Sequence, residues 1–230
     1  MTIHYHGTPL TPRNELLKLA GKHFCVSFAN PGDADWCLAH GQSVMWDSGA
    51  FTAFTQGKAV DWTKYFGWLE PRLGHPHWAV IPDVIDGTEA DQRDLIATWP
   101  FGSLGAPVWH MALSLDYLLE LSDKWPRICF GSSGRYWQVG SDDWCRRADA
   151  AFNALAKTGK LPWIHMLRGL EMCGDRWPFA SADSTNVARN FKNIGNEKDP
   201  ERMARRIDAV QCPINWSLRP EQQDIFYEVA

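Results

Sequence analysis

Two aspartates carry the strongest chemical signal in the chain. Asp47 ends the apolar run Ser43–Trp46 and leads into Ser48-Gly49-Ala50-Phe51; Asp183 follows Phe179–Ala182 and leads into Ser184-Thr185-Asn186. Paired carboxylates are what glycosidic chemistry uses. One attacks the sugar carbon or supports an oxocarbenium ion, and the other moves the proton. Gly49 lets the backbone approach a flat ligand closely or adopt a positive φ. As turn formers or helix N-caps the same acids would be merely structural, so their place in the fold decides between the two readings.

Further polar groups fall after other short apolar runs. Asp83 and Asp86 follow Ile81-Pro82, and His110 ends Pro107-Val108-Trp109. Gly131-Ser132-Ser133-Gly134-Arg135 follows Phe130, and His165 with Arg168 belongs to the run from Trp163. A small-residue loop such as 131–134 can present backbone N–H groups to a phosphate or a base edge. It is no Walker or dinucleotide fingerprint, and it reads equally as a plain turn. His110 and His165 lack H-x-H or H-E-x-x-H spacing, so no metal is expected. Satisfied, partly buried histidines fit them better.

The elements that must position these groups alternate. Strand-like runs lie at Ile3–His6, Phe24–Phe28, Ser43–Trp46, Trp78–Pro82, Pro107–Met111, Arg127–Phe130, Trp163–Leu167 and Phe179–Ala182. Helix-like segments lie between them at Arg13–Lys22, Asp33–His40, Trp62–Arg72, Thr88–Trp99, Leu115–Lys124, Asp142–Thr158 and Leu170–Arg176. Asp33, Asp61, Ser114 and Ser141 read as helix starts. Alternation of this kind implies a parallel sheet, and eight strands imply a closed (β/α)₈ TIM-like barrel rather than a doubly wound sheet. The expectation is one α/β barrel domain over 1–230, with C-terminal helices at Pro200–Ala209 and Pro220–Val229. In such a barrel chemistry sits at the carboxyl ends of the strands. That is where the acids, histidines and glycines above converge.

Composition narrows the class. Hydrophobic residues make up 45% and charged residues 22% of the 230, which fits an ordinary globular protein rather than a disordered one. No apolar run is long enough to span a bilayer, and the amino terminus lacks a secretory pattern. The six cysteines are scattered without a C-x-x-C pair, which suits free thiols in a cytoplasmic protein. A net charge of −4 gives no global pull toward polyanions, so nucleic-acid binding would need a local basic face. Candidates are Arg146-Arg147, Arg189 with Lys192, and Arg202 with Arg205-Arg206. The thirteen tryptophans suit a core or groove lining, and an excess of rings can also stack bases.

Taken in order, these motifs resemble the tRNA-guanine transglycosylases and their relatives acting on DNA. Asp47-Ser48-Gly49-Ala50-Phe51 is similar to the family's strand-three Asp-Ser-Gly-Gly-aromatic motif, whose aspartate serves as general base and contacts the base. Asp83 looks like the acid that reads the base edge, and Gly131 through Gly134 are similar to the glycines lining the base pocket. Asp183, with Arg189 and Asn190 following, resembles the strand-eight nucleophile. The likeness runs from about residue 43 to 191 through short motifs. The chain departs from the family in three places: it has no Cys-rich zinc site, His110 stands where the family carries a Gln, and Ala50 replaces the second glycine of a motif that also loses its Gln.

The resemblance implies cleavage of an N-glycosidic bond in a nucleic acid, with the target nucleotide flipped out of its stack. Asp183 would attack or support C1′, and Asp47 would move the proton. Ser48, Gly49, Phe51, Asp83, His110, Gly131, Ser132 and Ser133 would hold the base, while Arg135, Arg168, Arg189 and Asn186 would contact the strand. No cofactor is required. Without a zinc module, DNA is favoured over tRNA and a modified base over a standard one, as in a glycosylase serving antiviral defence. The alternatives are exchange of a base for a deazaguanine-type base, a metal-dependent barrel hydrolase of a small molecule, and a nucleic-acid-binding module without activity.

Overall fold

The structure is a computed structural model that describes residues 1–193, 195 and 198–220. Its strands are β1 (Ile3–Gly7), β2 (His23–Ser27), β3 (Ser43–Asp47), β4 (Trp78–Val80), β5 (Gly105–Ala106), β6 (Val108–His110), β7 (Arg127–Gly131), β8 (Trp163–Met166) and β9 (Ser181–Ser184). All strand pairs are parallel, in the order β5-β4-β3-β2-β1-β9-β8-β7-β6. The two ends of that order are one stretch of chain. Gly105–His110 pairs with β4 through its first half and with β7 through its second, so the sheet rolls into a TIM-like barrel. Pro107 makes the break. It has no N–H to donate, but its carbonyl still accepts from Cys129 N (2.9 Å), just as the Ala106 carbonyl accepts from Ile81 N (2.9 Å). Eight strand-like runs and nine observed strands thus describe the same wall.

Helices α1 (Asn14–Leu17), α2 (Ala34–His40), α3 (Ala50–Thr55), α4 (Trp62–Leu69), α5 (Glu89–Ala97), α6 (Leu115–Lys124), α7 (Asp142–Lys157), α8 (Asn186–Asn190) and α9 (Pro200–Asp208) follow the strands. The side chains of Asp61, Ser114 and Ser141 accept from backbone N–H groups of the helices they start. Asp33 stands at the N-cap of α2 without such a bond. Two expected helices shrink. Arg13–Lys22 keeps only Asn14–Leu17, because the chain turns at Gly21 with φ of 80°. Leu170–Arg176 keeps a single 3₁₀ turn, Leu170–Met172, before Gly174 takes a φ of 86°. The Pro220–Val229 helix falls outside the described residues but for Pro220, which is not helical.

Alternation along each strand sorts the side chains. Phe24, Val26, Val44, Trp46, Ala79 and Ile81 pack outward against one set of helices, and Trp109, Ile128, Phe130, Ile164, Met166 and Ala182 against the other. Tyr5, Cys25, Met45, Trp78, Val80, Ala106, Val108 and Cys129 fill the interior. Five of the tryptophans, at 46, 78, 109, 144 and 177, are among the largest fully buried side chains. Much of the excess of rings therefore builds the core. Continuing the alternation by one step turns Asp47, His110, Gly131 and Asp183 inward at the upper end.

Candidate active site

Asp47 ends β3 opposite Ser27 of β2. Its Oδ2 accepts from the backbone N–H of Gly49 (3.1 Å), and the Ser27 hydroxyl also bonds to the carboxylate. Gly49 takes a φ of 77°, and a Cβ there would lie 3.0 Å from the backbone nitrogen of Ala29. This turn therefore requires glycine. Burial foremost, and then the facing charges of Asp183 and Asp83, push the Asp47 carboxyl up to about 6 despite its hydrogen bonds. Asp47 and Asp183 stand at the carboxyl ends of β3 and β9 and Asp83 just beyond β4, so the three acids share one end of the barrel.

Asp183 sits within β9 rather than after it, because the strand begins two residues later than its apolar run suggested. Its Oδ1 accepts from the backbone N–H of Arg168 (2.8 Å) and lies 3.3 Å from His165 Nε2. Burial keeps the His165 ring below its usual pKa, hence neutral, with Nε2–H donating to Asp183 and Nδ1 accepting from the Ser181 hydroxyl (2.6 Å). Arg168 adopts a φ of 56°, a left-handed conformation that turns its N–H toward the acid. A Cβ on Gly169 would lie 1.9 Å from Met166 Cγ, so no side chain fits behind that turn. Asp183 is thus clamped through one oxygen, and Oδ2 accepts no hydrogen bond among the described residues.

Asp83 and His110 form a third arm. Their carboxylate and Nε2 lie 2.9 Å apart, both side chains nearly buried, while His110 Nδ1 has no hydrogen-bond partner. A Cβ on Gly131 would come within 3.0 Å of that Nδ1, so glycine here makes room for the imidazole. Beneath the acids, burial drives the thiols of Cys25 and Cys129 well above their ordinary pKa, leaving neutral, inert sulfur. At the rim Phe51 is 43% exposed, and the Arg168 guanidinium lies 4.0 Å from its ring centroid.

The remaining sequence-derived candidates are placed as follows. Ser48 is buried and its hydroxyl accepts from Ala50 N (3.3 Å), opening α3. Ser132 accepts from Trp144 Nε1 (3.0 Å) and Ser133 from Ala112 N (3.4 Å), so both hydroxyls brace the loop. Arg135 lies against Tyr136, Arg189 is exposed on α8, and the Asn186 side chain accepts from Asn190 (2.6 Å). Arg147 faces inward from α7 and donates to the Met111 carbonyl (2.9 Å), which takes it out of the basic face suggested with Arg146. Ser27, Ser181 and the partnership of His165 with Asp183 went unnoticed in the sequence. Ser27 was within reach, because it ends β2 as Asp47 ends β3.

Among the described residues no three His, Cys, Asp or Glu are grouped as a metal ion requires, and no helix is long and apolar enough to cross a membrane. A groove of about 1140 Å³ lies outside the barrel, against α6, α7 and Arg219-Pro220. No strand end opens into it and none of the candidate acids lines it, so its size does not mark the chemistry. No family model matches the chain, and no protein of curated function matches it.

Proposed function

We propose that the chain is an enzyme that cleaves an N-glycosidic bond in a nucleic acid, in the first place a DNA glycosylase that excises a modified base. The observation that carries this reading is the unequal environment of two facing acids. Asp47 is raised to about 6, poised to take or give a proton near neutrality, while Asp183 is fixed through one oxygen and its other oxygen accepts no hydrogen bond among the described residues. Cleavage of a glycosidic bond needs that division. As the C1′–N bond breaks and the base leaves with its electron pair, the positive charge growing on C1′ is met by the held carboxylate. The poised one deprotonates the attacking water, and that proton balances the one the departing base takes up. Asp83 and His110 line the same space with polar edges suited to reading a base. Arg168, Arg189 and Arg135 offer cations to the flanking phosphates, offsetting three acids that would otherwise repel a polyanion.

Mass spectrometry of small products after incubation with modified and unmodified DNAs and with tRNA tests the reading. Free base should appear with at least one substrate, and both Asp47→Ala and Asp183→Ala should abolish it. As general base Asp47 should make kcat/KM rise as pH increases through about 6. A falling limb at that pH would assign it the acid role instead. Incorporation of a labelled free base would turn the same machinery into base exchange.

A further inference from the structure

We infer that the Arg168 guanidinium occupies, in the free protein, the stacking place of the substrate base, so that a nucleotide of a polyanionic strand is admitted while a free base is turned away. This rests on the N-glycosidic reading and deepens it by naming the form of substrate. The guanidinium is planar and delocalised, and its carbon lies 4.0 Å from the centroid of the Phe51 ring, where a flat base stacking on that ring would lie. Phe51 comes from the segment after β3 and Arg168 from the segment after β8, so their contact spans the mouth above Asp47 and Asp183.

The two halves of Arg168 are held very differently. Its backbone is pinned by the N–H bond to Asp183 (2.8 Å), by the left-handed φ and by the packing of Gly169 against Met166. Its side chain is exposed and lies over the Phe51 ring. Opening the place therefore needs only side-chain rotation, with Asp183 left undisturbed. A free base would take the guanidinium's place on the ring but bring no anion to receive the displaced cation, so its own stacking is set against the lost cation–π contact. A nucleotide within a strand brings phosphates, and the displaced guanidinium moves from ring to phosphate, exchanging one favourable partner for another.

The test compares two probes on wild type, Arg168→Ala and Arg168→Lys. One is a panel of free guanine, adenine, cytosine, thymine and 5-hydroxymethylcytosine. The other is a short single-stranded DNA carrying a cationic azasugar in place of one nucleoside. Arg168→Ala should bind at least one free base ~3–10-fold tighter than wild type does and the DNA ~10-fold more weakly, with a salt dependence shallower by about one phosphate contact. Arg168→Lys keeps a charge but not the planar stack, so it should gain free-base affinity while holding the DNA within ~3-fold of wild type. In a Phe51→Leu background the gain on removing the guanidinium should vanish. Parallel loss, parallel gain, no change, or no free-base binding by any variant would overturn the inference. Absence of base release by wild type would instead sink the glycosidic reading, whatever the two probes show.

Discussion

The two ends of the barrel put inward-facing polar side chains to opposite uses. At the amino ends of the strands, donors and acceptors meet one another. His23 Nδ1 lies 2.7 Å from the Ser43 hydroxyl, which donates to the Tyr5 oxygen (3.2 Å), and Trp78 Nε1 donates to that same oxygen (2.8 Å). Arg127, a cation at that end, has its guanidinium carbon 4.6 Å from the Trp78 ring and 4.3 Å from the Trp163 ring. At the carboxyl ends, by contrast, three acids face one space, and Asp47 is raised partly by the other two. Apart from the Arg127 Nε, which is buried without a hydrogen-bond partner and rests on ring faces, the floor pairs its donors with acceptors, whereas the mouth keeps like charges together at a cost in stability. Such a cost is expected where a substrate, rather than the fold, completes the interactions.

The sharpest way to break this contrast is to remove one residue from each end. Asp183→Ala should lower base release by roughly 10³-fold or more while moving Tm by no more than about 2 °C. Trp78→Ala should do the reverse. It opens a cavity beneath Tyr5 and strips one ring from Arg127, costing about 3–5 kcal/mol and roughly 10–15 °C in Tm, with the folded fraction still turning over. Thermal melts beside product mass spectrometry read both effects. If Asp183→Ala unfolds the protein, or Trp78→Ala spares its stability, the division between floor and mouth fails.

His165 belongs to both regions, since its ring packs edge-on against Tyr5 (5.8 Å) and Trp78 (5.1 Å) while its Nε2 reaches Asp183. It is a positioning residue. His165→Leu should lower kcat by ~10–100-fold with little change in KM, because it frees the orientation of Asp183 without touching substrate. His165→Gln can still donate to the acid and should recover most of that loss. Equal damage from the two substitutions would make His165 a packing residue of the floor.

Much of this was legible in the sequence, for reasons that differ by element. Parallel strands buried on both faces read as apolar runs, and a capping Ser or Asp marks where the following helix begins, as at Ser114 and Ser141. Asp47, Asp83, His110 and Asp183 could be gathered because barrel topology alone assigns them to one end. What escaped depended on backbone shape. The extent of the segment after β8 is set by Arg168, Gly169 and Gly174, whose conformations no apolar period reveals. The Ser181–His165–Asp183 chain needs the register of β8 against β9, in which His165 stands beside Ser181. The short α3 and α8 carry too few residues to show a helical period.

The smallest effect is the most specific to the mouth, because it predicts that removing a charge there stabilises the protein. Burial and two neighbouring acids raise Asp47 to about 6, above the ordinary 3.8. The folded protein therefore holds a proton more tightly than the unfolded chain does. Between about pH 4 and pH 6 the folded state binds more protons, so stability falls as pH rises through that window. Above pH 6 the full cost of an ionised Asp47 is present. Part of the residue stays open to solvent at the mouth, so we expect about 1–2 kcal/mol rather than the whole shift. Asp47→Asn should then raise Tm by roughly 3–6 °C at pH 7 while base release is lost, and the gain should shrink toward zero by pH 4. A gain that persists unchanged at pH 4 would trace to packing and not to charge. A loss of stability at pH 7 would mean that the Ser27 and Gly49 hydrogen bonds outweigh the burial of the acid, making Asp47 a satisfied group of the floor's kind.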